Sequence, residues 1–122
     1  MTCTSRPAAA RPPHRHDFEE TFIITEGQLD VTFRGTSRSA SAGTTINVPA
    51  NAPHQFRNSA EQATRLLCIC APPGQEDFFA AVWDRVPGPT SPLSGLDAAA
   101  RAARLAKAQE LAPRYRTQLL PP

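Results

Sequence analysis

The stretch "PPHRHDFEETF", beginning at Pro12, sets His14 and His16 one residue apart with a run of carboxylates close behind. The chain has three histidines in all, and the third, His54, lies downstream in "PANAPHQF". Residues i and i+2 of a strand share a face, so His14 and His16 can aim at one ion. Asp17 and Glu19 have the wrong parity to join them. Glu20 has the right parity and shares it with Phe22 and Ile24, which places its carboxylate on the apolar side. His54, followed at i+2 by Phe56, has the same character. Burying a lone ionised carboxylate costs several kcal/mol or forces it to neutralise, and a divalent cation among the imidazoles removes that cost. The competing reading puts His14 and His16 in an exposed arm and Glu20 in a surface turn.

The elements that must position these residues are legible as period-two runs between Glu20 and Cys70. Phe22 and Ile24, then Leu29, Val31 and Phe33, then Thr44, Ile46 and Val48 each fall on one parity, as half-buried strands require. Turn signals at Gly27, Gly35, Gly43, Pro49 and "RNSAEQ" separate them. Short strands joined by short turns predict an all-β fold, an antiparallel sandwich or small barrel. "RLLCICA" adds a strand whose inward face stays open, because Leu66/Cys68/Cys70 and Leu67/Ile69 are both apolar.

Residues 1–13, rich in Pro and Ala, read as an irregular arm, and residues 14–73 as the barrel core. In residues 74–122 the period changes. "QEDFFAAVWDRV" predicts a short helix with acids in its first turn, anchored by Phe78, Phe79 and Trp83; "PGPTSP" then breaks the chain. A second, alanine-rich helix runs from an Asp97 cap to about Leu111 and stops near Pro113. Arg101, Arg104 and Lys107 recur along it as a solvated basic side or, less simply, an anion site, with Leu105 and the alanines facing the barrel or a partner subunit.

A chain of 122 residues allows one domain. With 13 basic and 11 acidic residues and a net charge of +2, it carries no broad footprint for nucleic acid or an anionic membrane. No apolar run reaches the ~20 residues needed to cross a bilayer, and the N-terminal stretch lacks a secretory core, so a cytoplasmic location is expected. Cys3, Cys68 and Cys70 form an odd set unsuited to a disulfide framework. Without a second Cys/His pair at zinc-site spacing, Cys68 and Cys70 read as small buried core residues.

The joint spacing resembles the cupin superfamily across roughly Pro12 to Ala71. The first cupin motif, His-x-His, Glu, Gly, is matched by His14, His16, Glu20 and Gly27. The second, Gly, Pro-x-Gly, His, Asn, is matched by Gly43, Pro49, His54 and Asn58. Asn51 stands where the second motif has glycine, and Asn tolerates positive φ better than other non-Gly residues. Ala8 stands where the first motif usually begins with glycine. Relatives usually carry further strands before the first motif, which leaves one barrel wall thin here. A late start, a six-stranded barrel or an edge completed by a second chain would each explain it, and a homodimer is the expectation.

The resemblance implies a small antiparallel, jelly-roll-like cupin barrel with the two C-terminal helices appended. It implies His14, His16, Glu20 and His54 as ligands of one divalent transition metal ion (Fe, Mn, Ni, Co, Cu or Zn), with one or two positions open to water, dioxygen or substrate. Glu20 either stays ligated or detaches to act as the catalytic base, since a carboxylate beside a metal can exchange the two roles. The pocket walls expected from parity are Phe22, Ile24, Leu29, Val31, Phe33, Ile46, Val48 and Phe56, which suit a small, flat, oxygen-bearing molecule chelating through an enol or phenolate. The expected function is a metal-dependent, quercetin dioxygenase-like enzyme. The alternatives are a redox-neutral polyketide-type cyclase or isomerase and a non-catalytic small-molecule-binding barrel.

Overall fold

The computed structural model describes residues 1–88, 91 and 95–122. Strands β1 (Thr2–Ser5), β2 (His14–His16), β3 (Glu19–Glu26), β4 (Gln28–Phe33), β5 (Thr36–Ser41), β6 (Thr45–Val48), β7 (His54–Arg57) and β8 (Thr64–Ala71) precede helices α1 (Gln75–Val82) and α2 (Ala98–Leu111). A 3₁₀ turn, Ala112–Tyr115, and strand β9, Thr117–Leu119, follow. The strands form two antiparallel sheets, one in the order β1-β8-β3-β6 and the other β5-β4-β7-β2-β9. The expected barrel is thus a two-sheet, jelly-roll-like sandwich.

Alternation decides what the sheets bury. Phe22, Ile24, Leu29, Val31, Val48 and Phe56 join Ala40, Ala52, Leu66 and Cys68 in one core cluster, with Phe33, Ile46, Cys3 and Cys70 packed against it. Leu66 and Cys68 point inward while Ile69 is exposed, which resolves the open face of β8. Register fixes that choice: Phe22 of β3 stands opposite Cys68 on β8 and Ile46 on β6.

Two expectations are corrected. The arm is not irregular throughout, because Thr2–Ser5 pairs with Leu67–Thr64 of β8 as β1. The C-terminal extension is not purely helical, because Thr117–Leu119 returns to pair with all of β2, His14 opposite Leu119 and His16 opposite Thr117. That strand covers the outer edge of β2 and becomes the last strand of its sheet.

Asp97 caps α2, its carboxylate accepting from the Ala100 N–H at 2.7 Å. The first helix ends at Val82, short of the expected Val86, with Trp83 extended. Phe78, Phe79, Val82 and Ala112 form a second cluster that gathers Trp83, Ala108, Leu111, Tyr115, Leu119 and Cys3. The guanidinium of Arg11 lies 4.1 Å over the Trp83 ring. Leu105 faces neither sheet and is exposed. Of the expected break "PGPTSP", residues 89, 90 and 92 lie outside the described residues.

Both departures from the cupin motifs sit at left-handed backbone. Asn51 has φ 64° and Ala8 has φ 57°. The glycine usual at these places is explained by that geometry, which costs an L-residue roughly 1–2 kcal/mol and Asn less. Gly27 has a second constraint besides its φ of 80°: a Cβ there would stand 2.7 Å from Thr64 Oγ1.

Candidate metal centre

The three histidines come together between the sheets. His14 on β2 stands directly opposite His54 on β7, and Glu20 reaches them from β3 in the facing sheet. His14, His16, Glu20 and His54 are 6, 2, 1 and 2 % exposed. A ring nitrogen from each imidazole lies within 4.8 Å of the other two. The alternative of an exposed arm and a surface turn is excluded by this burial.

Backbone carbonyls set the tautomers. His14 Nδ1 donates to Pro12 O at 2.8 Å, His16 Nδ1 to Phe18 O at 2.9 Å and His54 Nδ1 to Ala52 O at 3.0 Å. A carbonyl only accepts, so each Nδ1 carries hydrogen and each Nε2 is left as the metal-facing nitrogen. In each case the carbonyl belongs to a residue two positions away, so the short β2 and β7 segments orient their own histidines. Phe18 stacks on His16 at 4.0 Å with the planes 5° apart, which holds that ring further.

Two features of the cluster are unbalanced without a cation. His54 Nε2 is buried with no hydrogen-bond partner among the described residues, and its distance of 3.6 Å to Glu20 Oε2 is too long for a hydrogen bond. His16 Nε2 and Glu20 Oε2 meet at 2.7 Å, which requires a proton between them. One divalent ion in place of that proton would satisfy both nitrogens and the carboxylate, so the residues fit the ion that the motif implies.

The electrostatics agree. Burial, helped by the neighbouring His54, pushes His14 down from 6.5 to about 3, which keeps it neutral as a ligand must be. Burial on its own would raise the Glu20 carboxyl, but His16, His54 and the Cys68 thiol outweigh it and hold the group well below the usual carboxylate range. The site therefore presents a neutral His14 and an ionised Glu20.

Sequence reasoning located all four of these residues but missed their neighbours. Phe18 carried no motif signal. Cys68 donates to Glu20 Oε1 at 3.0 Å and Cys70 to Gln75 Oε1 at 2.9 Å, contacts that a choice of inward face for β8 would have indicated. Of the expected walls, Phe56 lies 5.6 Å from the His54 ring and 4.4 Å from the Phe22 ring, centroid to centroid, and Phe33 stands opposite His54 across β4 and β7. Ile24, Leu29 and Val31 pack in the same core cluster. Of two surface clefts, one of about 380 Å³ is lined by Asp30, Arg38 and Arg57, and the other, of about 370 Å³, is lined by Met1, Cys68, Cys70 and Glu76 on the sulfur side of Glu20.

Comparison with known proteins assigns the chain to a family. The cupin domain model matches residues 1–70, and the protein belongs to the cupin superfamily. Auxin-binding protein 1 of Arabidopsis thaliana is 27% identical over 89 residues, which is 66% of this chain and 45% of that protein. The chain thus spans just under half the length of this relative. Among solved structures, a Cupin 2 conserved barrel domain protein from Salinispora arenicola superposes with a TM-score of 0.55 at 23% identity, covering 65% of this chain and 66% of that one. The polyketide cyclase RemF from Streptomyces resistomycificus gives a TM-score of 0.53 at 26% identity, over 59% of this chain and 54% of its own.

Proposed function

We propose that this cupin is a metal-dependent enzyme acting on a small enolic or phenolic molecule at the His14, His16, His54 and Glu20 centre. The observation that carries this reading is the convergence of three Nδ1-anchored imidazoles, two of them facing one buried carboxylate, with His54 Nε2 left without a partner among the described residues. When bound, a divalent transition metal supplies Lewis-acid polarisation of a substrate oxygen.

The chain's own residues do the rest. Glu20 is the carboxylate placed to take a proton from an enol or phenol, and it becomes a competent base on parting from His16, whose contact holds it ionised and weakly basic. Phe18, Phe22 and Phe56 exclude water around it and offer flat surfaces to a flat ligand. Of the remaining expected walls, Ile24, Leu29, Val31 and Val48 are buried in the core, while Phe33 and Ile46 pack against it and are only partly buried.

Between a dioxygenase-like course and a redox-neutral one, two observations favour the redox-neutral cyclase or isomerase. The free, partly exposed thiol of Cys70 lies 3.8 Å from Glu20 Oε1, where oxygen chemistry at the centre would expose it to oxidation. Likeness to a polyketide cyclase supports the same choice. Likeness to proteins named for binding auxin supports the alternative of a binding barrel without chemistry. Metal-loaded protein incubated with enolic and phenolic polyketide-like compounds separates the three. Product formed under anaerobic conditions is expected, strictly oxygen-dependent product would select the dioxygenase, and tight binding without turnover would select the binding barrel.

A further inference from the structure

Glu20 has two sides, and the imidazoles use only one. Its Oε2 faces His16 and His54, while its Oε1 faces Cys68 Sγ at 3.0 Å and Cys70 Sγ at 3.8 Å. The two sulfurs are 3.7 Å apart. Cys70 Sγ also meets the side-chain oxygen of Gln75 at 2.9 Å, and Gln75 is buried at 3 % exposure in the first turn of α1. Glu20 Oε1 and the two sulfurs therefore lie together on one side of the carboxylate, and Gln75 Oε1 adjoins them through Cys70.

The spacing is that of a coordination sphere. Zn–S bonds of about 2.3 Å at the tetrahedral angle require sulfurs about 3.8 Å apart, and a Zn–O bond of about 2.1 Å requires S···O near 3.6 Å. The sulfur pair meets the first value and Cys70 with Glu20 the second, while Cys68 must draw back from Glu20, and Gln75 from Cys70, by roughly half an ångström or a little more as the ion enters. Alternate positions of one strand supply both thiols, which is why a Cys-x-Cys pair unsuited to a disulfide suits a shared ion.

We propose that Cys68, Cys70 and Glu20 Oε1, with Gln75 Oε1 as fourth donor, form a second site for a thiophilic divalent cation such as Zn²⁺ or Cd²⁺. Two sulfur donors select soft or borderline ions over Mg²⁺ or Ca²⁺. Binding releases the two thiol protons to solvent, and Glu20 then bridges this ion and the one held by the imidazoles. Cys70 is half-exposed and lines, with Met1, Ile69 and Glu76, a cleft of about 370 Å³ that opens to solvent along β8. The site does not depend on which reaction the imidazole centre performs.

The test is titration of the reduced full chain with Cd²⁺ under anaerobic conditions. Equilibrium dialysis gives the stoichiometry, and ultraviolet thiolate-to-cadmium charge-transfer absorption reports sulfur ligation. The wild-type chain is expected to take up about two ions and to develop the charge-transfer band. Cys68→Ser/Cys70→Ser is expected to bind about one ion without the band, His14→Ala/His54→Ala about one ion with the band, and Cys3→Ser to match the wild type. A wild-type chain with no thiolate band overturns the proposal, whatever the stability of the variants. A band that survives in folded Cys68→Ser/Cys70→Ser, or is lost in folded His14→Ala/His54→Ala, also overturns it. One ion with the band would instead count against the imidazole centre.

Discussion

His14, His16, Glu20 and His54 are between 1 and 6 % exposed, whereas α2, which carries Arg101, Arg104 and Lys107 at equally regular spacing, has no buried residue at all. Both sets look deliberate in the sequence. In the sandwich every functional group is desolvated, so each needs a partner and each partner matters. On α2 water serves every group: Arg104 reaches Asp84, and Arg101 Nε lies 3.4 Å from the Asp97 carbonyl, both at the surface. Regular spacing implies chemistry only where the fold removes the solvent.

Acid should separate the two regions most strongly. His14 titrates near 6.5 when unfolded and near 3 when folded, so the unfolded chain gains a proton first and stability falls as pH drops below about 6.5. Glu20, also held below its ordinary 4.5, adds to the loss as pH falls through that value. Together these are worth on the order of a few kcal/mol. Urea midpoints for the metal-free protein from pH 8 to pH 3.5 should fall steadily below pH 6.5, and a flat profile would contradict the burial assigned to His14.

Gly27→Ala should cost about 2–3 kcal/mol, because positive φ and the clash with Thr64 Oγ1 act together. Ala8→Gly should have the opposite sign and gain up to about 1 kcal/mol by relieving a left-handed alanine, a small upward shift in Tm. Arg104→Ala should move stability by less than about 0.5 kcal/mol. A larger change would show that α2 is held to the sandwich more firmly than its exposure indicates.

The sequence disclosed the ligands because parity and turn chemistry are local: Glu20 sorts with Phe22, and Asn51 marks a left-handed turn before His54. It concealed β1 and β9 for the opposite reason. Thr2–Ser5 and Thr117–Leu119 are too short and polar to show a period, and their pairing is non-local, with Arg15 reaching Gln118 across 103 residues. The inward face of β8 was undecidable alone, since only register with Phe22 distinguishes Cys68 from Ile69. The thiols beside Glu20 stayed out of view with it.

The most direct test of the central claim is divalent metal content of the purified protein beside that of His54→Ala. His54 is the imidazole whose inward nitrogen has no partner of its own among the described residues, so its loss opens the centre while leaving the His16–Glu20 contact in place. The account predicts that His54→Ala holds about one ion per chain fewer than the wild type. Equal metal content in the two proteins would contradict it.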